Sequence, residues 1–530
     1  MINILHRYIF RELCKIFFLA TTALTLILSL GSLIRPIQAY GVGPGQVADL
    51  LIYFLPVTLT FVLPIAALFA AALTYGRLAT DNEIDACKAS GISPMTLIYP
   101  GFLLAVLVAI ATLALSFHVT PYFVRLADQS IKANLKQILF RHLQRRGFYR
   151  LPPNGRYAIY ADYADPQTDS LYGVIVLKTR DAKIDQVIAT EVAKVSFDYT
   201  DGFNEVRITA RNTIQMGLGS EAWFEAKTLS LGQRIESLLA DRITFKRIDD
   251  MKRIQTDLLL FGPIEKAARR VYGQALTELV TDDINRTAAA GHPYELAGPS
   301  QFVHITAAGA ILGTEKTLQL PGPVEIVEID RSSRMSPRRW QCEKATITVE
   351  GEGWTPILSL DLFNARSADV GGTLMMRYTV TGLAIPPSIA AKATAPPLLE
   401  TLTSPGLAAA LSTGPSPQFT QALDNLRRQI RDTLSQITAE VHSRLVFGIG
   451  CIPMILIGIV LGILKRGGHL LNAFAISCLP AIILIVGIVG GKQLTTNPGS
   501  QGLSGPILMW TGLAVLWILA FKLYHRLQSQ

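Results

Sequence analysis

The nearest approach to a nucleotide-binding loop in this sequence is Val489-Gly490-Gly491-Lys492-Gln493. It lacks the first glycine at the spacing that cradles phosphates, and Gln493 stands where a Ser or Thr would hold magnesium. Neither an H-E-x-x-H nor a G-x-S-x-G occurs, and the eight His residues are scattered, so a zinc site is not expected. No pair among the five cysteines has metal-ligand spacing. Carboxylates are numerous between 121 and 440, but context marks none of them as a paired acid and base. The reading is therefore a chain without catalytic residues, metal or cofactor. Any energy it uses comes from another chain.

One polar segment is built differently. Thr80-Asp81-Asn82-Glu83 has the form of a capping box, with Thr80 accepting from an early backbone N–H and Glu83 reaching back. Gly91 supplies a stop and Pro94 lies beyond it, so the spacing predicts a short helix over 81–90. Asp81, Glu83 and Asp85 make its first half acidic, with Arg77 and Lys88 flanking it. Two readings stand. It is a surface helix whose charges follow its dipole, or it is a coupling helix that docks into a cytoplasmic ATPase.

The elements that must position this segment are apolar. The 530-residue chain is 50% hydrophobic and 17% charged, with mean hydropathy +0.34 and net charge +9. Soluble globular chains are nearer ~25% charged, and the apolar content also excludes disorder. Six stretches are long enough to span a bilayer or nearly so: 16–34, 50–73, 97–118, 445–464, 470–490 and 507–523. Pro56, Pro64, Pro453 and Pro480 fall inside them and read as kinks, which membrane helices tolerate. The first stretch reads as an uncleaved span, because it exceeds a signal core and no small-x-small cleavage site follows.

Charge fixes the direction. Residues 121–440 hold 37 Lys/Arg against 35 Asp/Glu, whereas the flanks hold 12 against 5. The basic excess lies beside the membrane, so nucleic acid is not an expected partner. With the N-terminus cytoplasmic, the inside positions carry Arg7, Arg11, Lys15, Arg77, Lys88, Lys465, Arg466, Lys522 and Arg526. The short outside loops carry only Arg35 and Lys492. Both termini are then cytoplasmic and 121–440 is exported. Arg35 and Lys492 are candidate cations for a lipid phosphate, or ordinary interfacial anchors. Cys342 is alone on the exported side, so no disulfide forms within that domain.

Within the exported part, 124–146 reads as a helix followed by a β-rich region, with alternation in Glu205-Val206-Arg207-Ile208-Thr209. A second β-rich stretch covers about 300–385. At a constant offset of 152 residues, Val174-Ile175-Val176-Leu177 falls on Ile326-Val327-Glu328-Ile329 and Asn212 falls on Asn364. That pattern suggests duplication, although any two β-rich stretches share some alternation. A helical segment near 264–280 joins the halves, and 386–418 reads as a linker. Leu423, Leu426, Ile430, Leu434, Ile437 and Val441 then mark an amphipathic helix running into the fourth span.

Gly76-Arg77-Leu78, Asp81-Asn82-Glu83-Ile84, Ala86 and Lys88-Ala89-Ser90-Gly91 resemble the LptF/LptG (YjgP/YjgQ) permease family of lipopolysaccharide export. Glu440-x-His442-x-Arg444, Lys465-Arg466-Gly467-Gly468 and Gly505-Pro506 through Trp510 extend the likeness, which covers about 1–240 and 420–530. Cys87 and Lys88 depart from the family's usual larger apolar residue and Arg. The resemblance implies an α-helical transmembrane fold of six spans (3+3) with a large β-rich periplasmic domain, a β-jellyroll, which the 152-residue offset suggests is duplicated here. The expected divisions are 1–120 with a coupling helix at 80–91, a jellyroll over 121–257, an inserted region over 258–418, and 419–530. It further implies an inner-membrane ABC transporter permease that passes lipopolysaccharide or a related glycolipid to a periplasmic bridge. Implied partners are a cytoplasmic LptB-like ATPase dimer, a related LptF/LptG chain and an LptC/LptA-like bridge protein. Arg77, Asp81, Glu83, Ile84, Asp85 and Lys88 are the expected ATPase-coupling set, with Glu83 first. Glu440, His442 and Arg444 are expected to position the entering end of span four, Glu440 pairing with one of the other two. A lipoprotein-release or mechanotransmission type membrane subunit, or a scaffold with an exported binding domain, are the alternatives. The first usually places its domain after span one, and a scaffold has no need of an ATPase dock.

Overall fold

The computed structural model describes residues 2–40, 44–133, 135–150, 157–180, 183–198, 204–217, 223–235, 242–299, 301–313, 316–330, 337–350, 354–367, 374–390, 414–464, 470–497 and 504–528. The chain opens with α1 (Ile2–Tyr40), α2 (Pro44–Thr80), the short α3 (Glu83–Ala89) and α4 (Pro94–Ala114). A π-helical turn, Leu115–Val119, joins α4 to α5 (Thr120–Ala133), and α6 (Leu135–Arg146) follows. Then come β1 (Phe148–Arg150), β2 (Tyr157–Asp165), β3 (Ser170–Arg180), β4 (Lys183–Asp198), β5 (Asn204–Gly217) and β6 (Trp223–Ile235). After α7 (Ile248–Thr256) and α8 (Gly262–Ala289) stand β7 (Tyr294–Ala297), β8 (Gln301–Thr306), β9 (Ile311–Leu312), β10 (Thr317–Asp330), β11 (Arg338–Glu350), β12 (Ile357–Ser367) and β13 (Leu374–Leu383). The chain closes with α9 (Pro387–Ala390), α10 (Pro417–Leu464), α11 (Leu470–Thr496) and α12 (Ser504–Gln528).

Six helical stretches are long and apolar enough to cross a membrane, three before the sheets and three after them: Ile4–Gly31, Leu51–Thr80, Pro94–Ser130, Pro417–Leu464, Leu479–Thr496 and Ser504–Gln528. The expected layout of six spans is present, but the helices overrun the apolar runs. The third continues through the π turn to Ala133, so the helix expected over 124–146 is instead the tail of that span followed by a separate α6. Arg35 lies within α1, which runs on to Tyr40, and not in a loop; its side chain is outside the described residues.

The chain divides into two compact units, one formed by Met1–Met251 with Ser435–Gln530 and the other by Lys252–Leu434. In the first, the helices are held by small residues at their crossings. A methyl group on Gly462 would meet the Ala72 carbonyl at 2.8 Å and the Gly76 amide at 3.1 Å, so α2 and α10 touch backbone to backbone. Ile9, Leu13, Tyr75, Leu78, Leu97, Ile455 and Ile459 form the apolar centre of that packing. β1 to β6 form an antiparallel meander, each strand beside its sequence neighbours. Its buried face (Ile159, Val174, Val176, Ile188, Val195, Ile208) packs on Ile138, Leu139, Phe140 and Leu143 of α6.

The second unit is another antiparallel sheet, ordered β13-β12-β11-β10-β8-β7, with β9 paired to β10. Its long helix α8 is buried on every side from Val271 to Asp282, polar residues included, and packs on β7, β9, β10 and β11. The helical segment expected over 264–280 is thus real and longer. At the 152-residue offset, β3, β4, β5 and β6 fall on β10, β11, β12 and β13. Asn212 and Asn364 both adopt left-handed backbone inside a strand, at φ 52° and 53°. The ladder pairing is interrupted at both: it passes over Glu191 and Asn212 between β4 and β5, and over Glu343 and Asn364 between β11 and β12. A non-glycine residue rarely adopts this conformation, and here it recurs at the 152-residue offset.

Candidate functional site

The acidic segment is fixed by its neighbours and not by the expected cap. Thr80 is the last residue of α2, and its hydroxyl donates to the Gly76 carbonyl at 2.9 Å. The capping box does not form. α3 begins later, at Glu83, after Asn82 has turned the chain through left-handed backbone at φ 58°, and no side chain caps it. The physical reason is continuity: α2 runs on to Thr80, so Thr80 never adopts the extended backbone a cap needs. Gly91, at φ 79°, ends α3 as expected, with the Ile92 amide donating to the Cys87 carbonyl at 3.0 Å. The cap signal belongs one step on. Ser93 caps α4, accepting from the Thr96 amide, and Pro94 is the first residue of that helix.

What holds α3 is chiefly Ile84, with Cys87 packed at the edge of the same cluster. Ile84 is its buried residue and enters the cluster of Ile9, Leu13, Tyr75, Leu78 and Leu97. Asp81 is exposed, Glu83, Asp85 and Lys88 are half-buried, and the opposite face is open. The acids in the first turn and Lys88 in the last agree with the helix dipole. Tyr8 of α1 donates to Glu83 Oε1 at 3.5 Å. Arg77 Nη1 donates at 3.0 Å to Glu12 Oε1, whose other oxygen holds Lys15 at 3.3 Å. The first span therefore supplies two polar contacts to this loop. The sequence reading missed both Glu12 and Tyr8. The available signal was that Glu12 is a single carboxylate among Arg7, Arg11 and Lys15 at the head of an apolar run.

The second cluster joins α10, α11 and the chain after the first sheet. Glu440 is gripped on both oxygens: Arg444 Nε donates to Oε1 at 3.0 Å and Lys492 Nζ donates to Oε2 at 2.8 Å. Arg444 also donates to the carbonyls of Thr244 (2.8 Å) and Lys246 (3.2 Å). Its guanidinium lies 5.6 Å from the centre of the Phe117 ring, in the π-helical turn. Glu440 thus pairs with Arg444 as expected, and with Lys492 in addition. His442 stands apart from this knot and accepts from the Trp510 indole N–H at 3.1 Å. Val489-Gly490-Gly491-Lys492 is helix, not a loop. A methyl group on Gly491 would meet the Gly505 carbonyl at 2.8 Å, so this glycine serves the α11–α12 crossing.

Among the described residues no group of His, Cys, Asp and Glu could hold a metal ion. A model of the family described as lipopolysaccharide export system permease LptF/LptG matches residues 7–238 and 360–526. The matched stretches contain the first cluster and Glu440, Arg444 and Lys492 of the second, while Thr244 and Lys246 fall between them; the match resumes inside β12 of the second sheet. Comparison with curated proteins returns no match.

Proposed function

The chain belongs to the LptF/LptG family of lipopolysaccharide export permeases, and from that premise we propose how this member works. It is a multi-pass inner-membrane transport subunit; the residues named below give that role its parts. Both termini face the cytoplasm, as the basic bias around the spans requires, and 121–440 faces the periplasm. A separate LptB-like ATPase dimer docks on α3 and the turn before it, where Asp81 of the turn and Glu83 and Asp85 of the helix meet basic groups of the ATPase while Ile84 holds the helix to the spans. Arg77 and Lys88 flank that contact. A related LptF/LptG chain completes the membrane cavity, and an LptC/LptA-like bridge protein receives the lipid beyond the first sheet.

Lipopolysaccharide enters laterally between spans, its acyl chains against apolar helices and its phosphates near Arg35 and Lys492. The second sheet, read as a repeat of the first, offers the lipid a second surface of the same kind. The observation that carries the reading is the build of α3: one buried isoleucine inward and an acidic first turn, Glu83 and Asp85, left partly open, between spans two and three. The test is co-purification of the ATPase with the full chain. Glu83→Lys reverses the charge at the dock and is expected to lose the ATPase, whereas retention at the wild-type level overturns the assignment.

A further inference from the structure

Glu440, Arg444 and Lys492 bring two positive charges and one negative charge together at one level of the bundle. In a low-dielectric setting such a group carries an uncompensated charge of one sign, which favours an incoming anion. The two cations differ in how they are held. The Arg444 side chain is only 5% exposed and is fixed by two backbone carbonyls, the Phe117 ring and Glu440. The Lys492 side chain is 36% exposed, and Glu440 is its ion-pair partner among the described residues. A lysine is a point charge on a flexible stem, whereas the arginine fork is locked by geometry. Lys492 is the exchangeable member.

We propose that Glu440 is a built-in counterion which an anionic headgroup displaces from Lys492, so that binding and release at this site are two sides of one ion-pair exchange. The inference rests on the proposed lipid role of Lys492 and adds the residue that limits it. Exchange is feasible because Glu440 is held twice. When a phosphate takes Lys492, the carboxylate keeps Arg444 and is never left buried without a partner, the situation that makes breaking a buried pair expensive. Release is feasible for the same reason, since Glu440 waits within reach to reclaim the ammonium. The surrounding backbone is firm: the α11–α12 crossing at Gly491 fixes the helix beside Lys492, and Thr495 Oγ1 bonds the Gly491 carbonyl at 2.8 Å. Only the lysine stem has to swing. The π-helical turn that sets Phe117 under Arg444 fits this picture, since such turns concentrate at functional sites. The ligand class is a phosphate-bearing amphiphile.

The test uses the full chain in detergent micelles, with lipopolysaccharide, enzymatically dephosphorylated lipopolysaccharide and inorganic phosphate as probes. Glu440→Gln is expected to tighten lipopolysaccharide binding and slow its release by roughly tenfold, the scale of one charge-assisted hydrogen bond. It should leave the dephosphorylated probe unaffected. Lys492→Gln keeps the Glu440–Arg444 pair and so guards against misfolding of the first variant. It is expected to weaken binding, and the double variant should match it. If inorganic phosphate competes at the concentration at which it binds alone, the site is one for free phosphate and the lipid assignment is overturned. Unchanged affinity and release in Glu440→Gln, with Lys492→Gln still weakening binding, removes the counterion role but keeps the lipid role of Lys492. If Lys492→Gln also changes nothing, the lipid role itself falls.

Discussion

Replacing Ile84 by alanine isolates the attachment of α3 from the rest of the protein. The helix has seven residues, no side-chain cap and one buried residue. A helix that short has no stability of its own in water, so its order comes from contact with the spans. Ile84 is 3% exposed and sits among Ile9, Leu13, Tyr75, Leu78 and Leu97. Truncation of such a side chain to alanine costs about 2–5 kcal/mol. Here the loss falls on the local opening of α3, because α2 and α4 remain packed on one another. At about 2 kcal/mol the opened state gains roughly 30-fold, and at about 4 kcal/mol nearly a thousandfold. The reporters are the amides that α3 and its exit close: Ala86 to the Asn82 carbonyl at 3.0 Å, Ser90 to Ala86 at 3.1 Å and Ile92 to Cys87 at 3.0 Å. Hydrogen exchange on the full chain in detergent should show these accelerated, with α2 amides unchanged and ATPase capture weakened in step. Ile84→Val, at about 0.5–1.5 kcal/mol, should give an intermediate effect. Exchange of the α3 amides within about threefold of wild type in Ile84→Ala would refute the claim that this residue is the chief attachment of the helix.

Three further outcomes are expected. Glu12→Arg should lower ATPase-coupled lipid release by separating Arg77 from the first span, and the swap Glu12→Arg with Arg77→Glu should restore part of it; no recovery counts against the pair. Burial raises the Glu328 carboxyl above its ordinary value, only partly offset by the hydrogen bond from Tyr378 and by the charge of Arg338. The folded second unit therefore binds a proton more readily than the unfolded chain, and this contribution is full below the ordinary carboxylate range and lost as pH rises through the raised value. Thermal unfolding of the unit should thus show a pH dependence over that window that flattens in Glu328→Gln; an unchanged slope contradicts it. Gly462→Leu would force α2 and α10 apart where a methyl group already meets backbone, and should cost several kcal/mol, about the range of severe overpacking, read as loss of folded protein in detergent.

How much of this was legible in the chain depends on how far apart the partners lie. Span number, the β-rich middle, the amphipathic lead into span four and the 152-residue echo between the sheets were all readable, because hydropathy and alternation are properties of neighbouring residues. The Glu440–Arg444 pair was readable too, being one helical turn apart. The capping box was misread for a local reason with a longer-range cause: the Thr80 side chain fits the motif, but the helix before it had not yet ended.

Composition and patterning alone established a membrane protein with its basic excess beside the spans, and a loop between spans two and three that carries acid. Which residues those charges meet was set by packing in three dimensions. Arg77 meets Glu12 from 65 positions away, Lys492 meets Glu440 across 52, and Arg444 reaches carbonyls some 200 residues earlier. An ion pair depends on distance in space, and composition and periodicity contain no distances beyond a turn or a pleat. Packing set them, through small residues that let helix backbones touch and so brought single charges on different spans into reach.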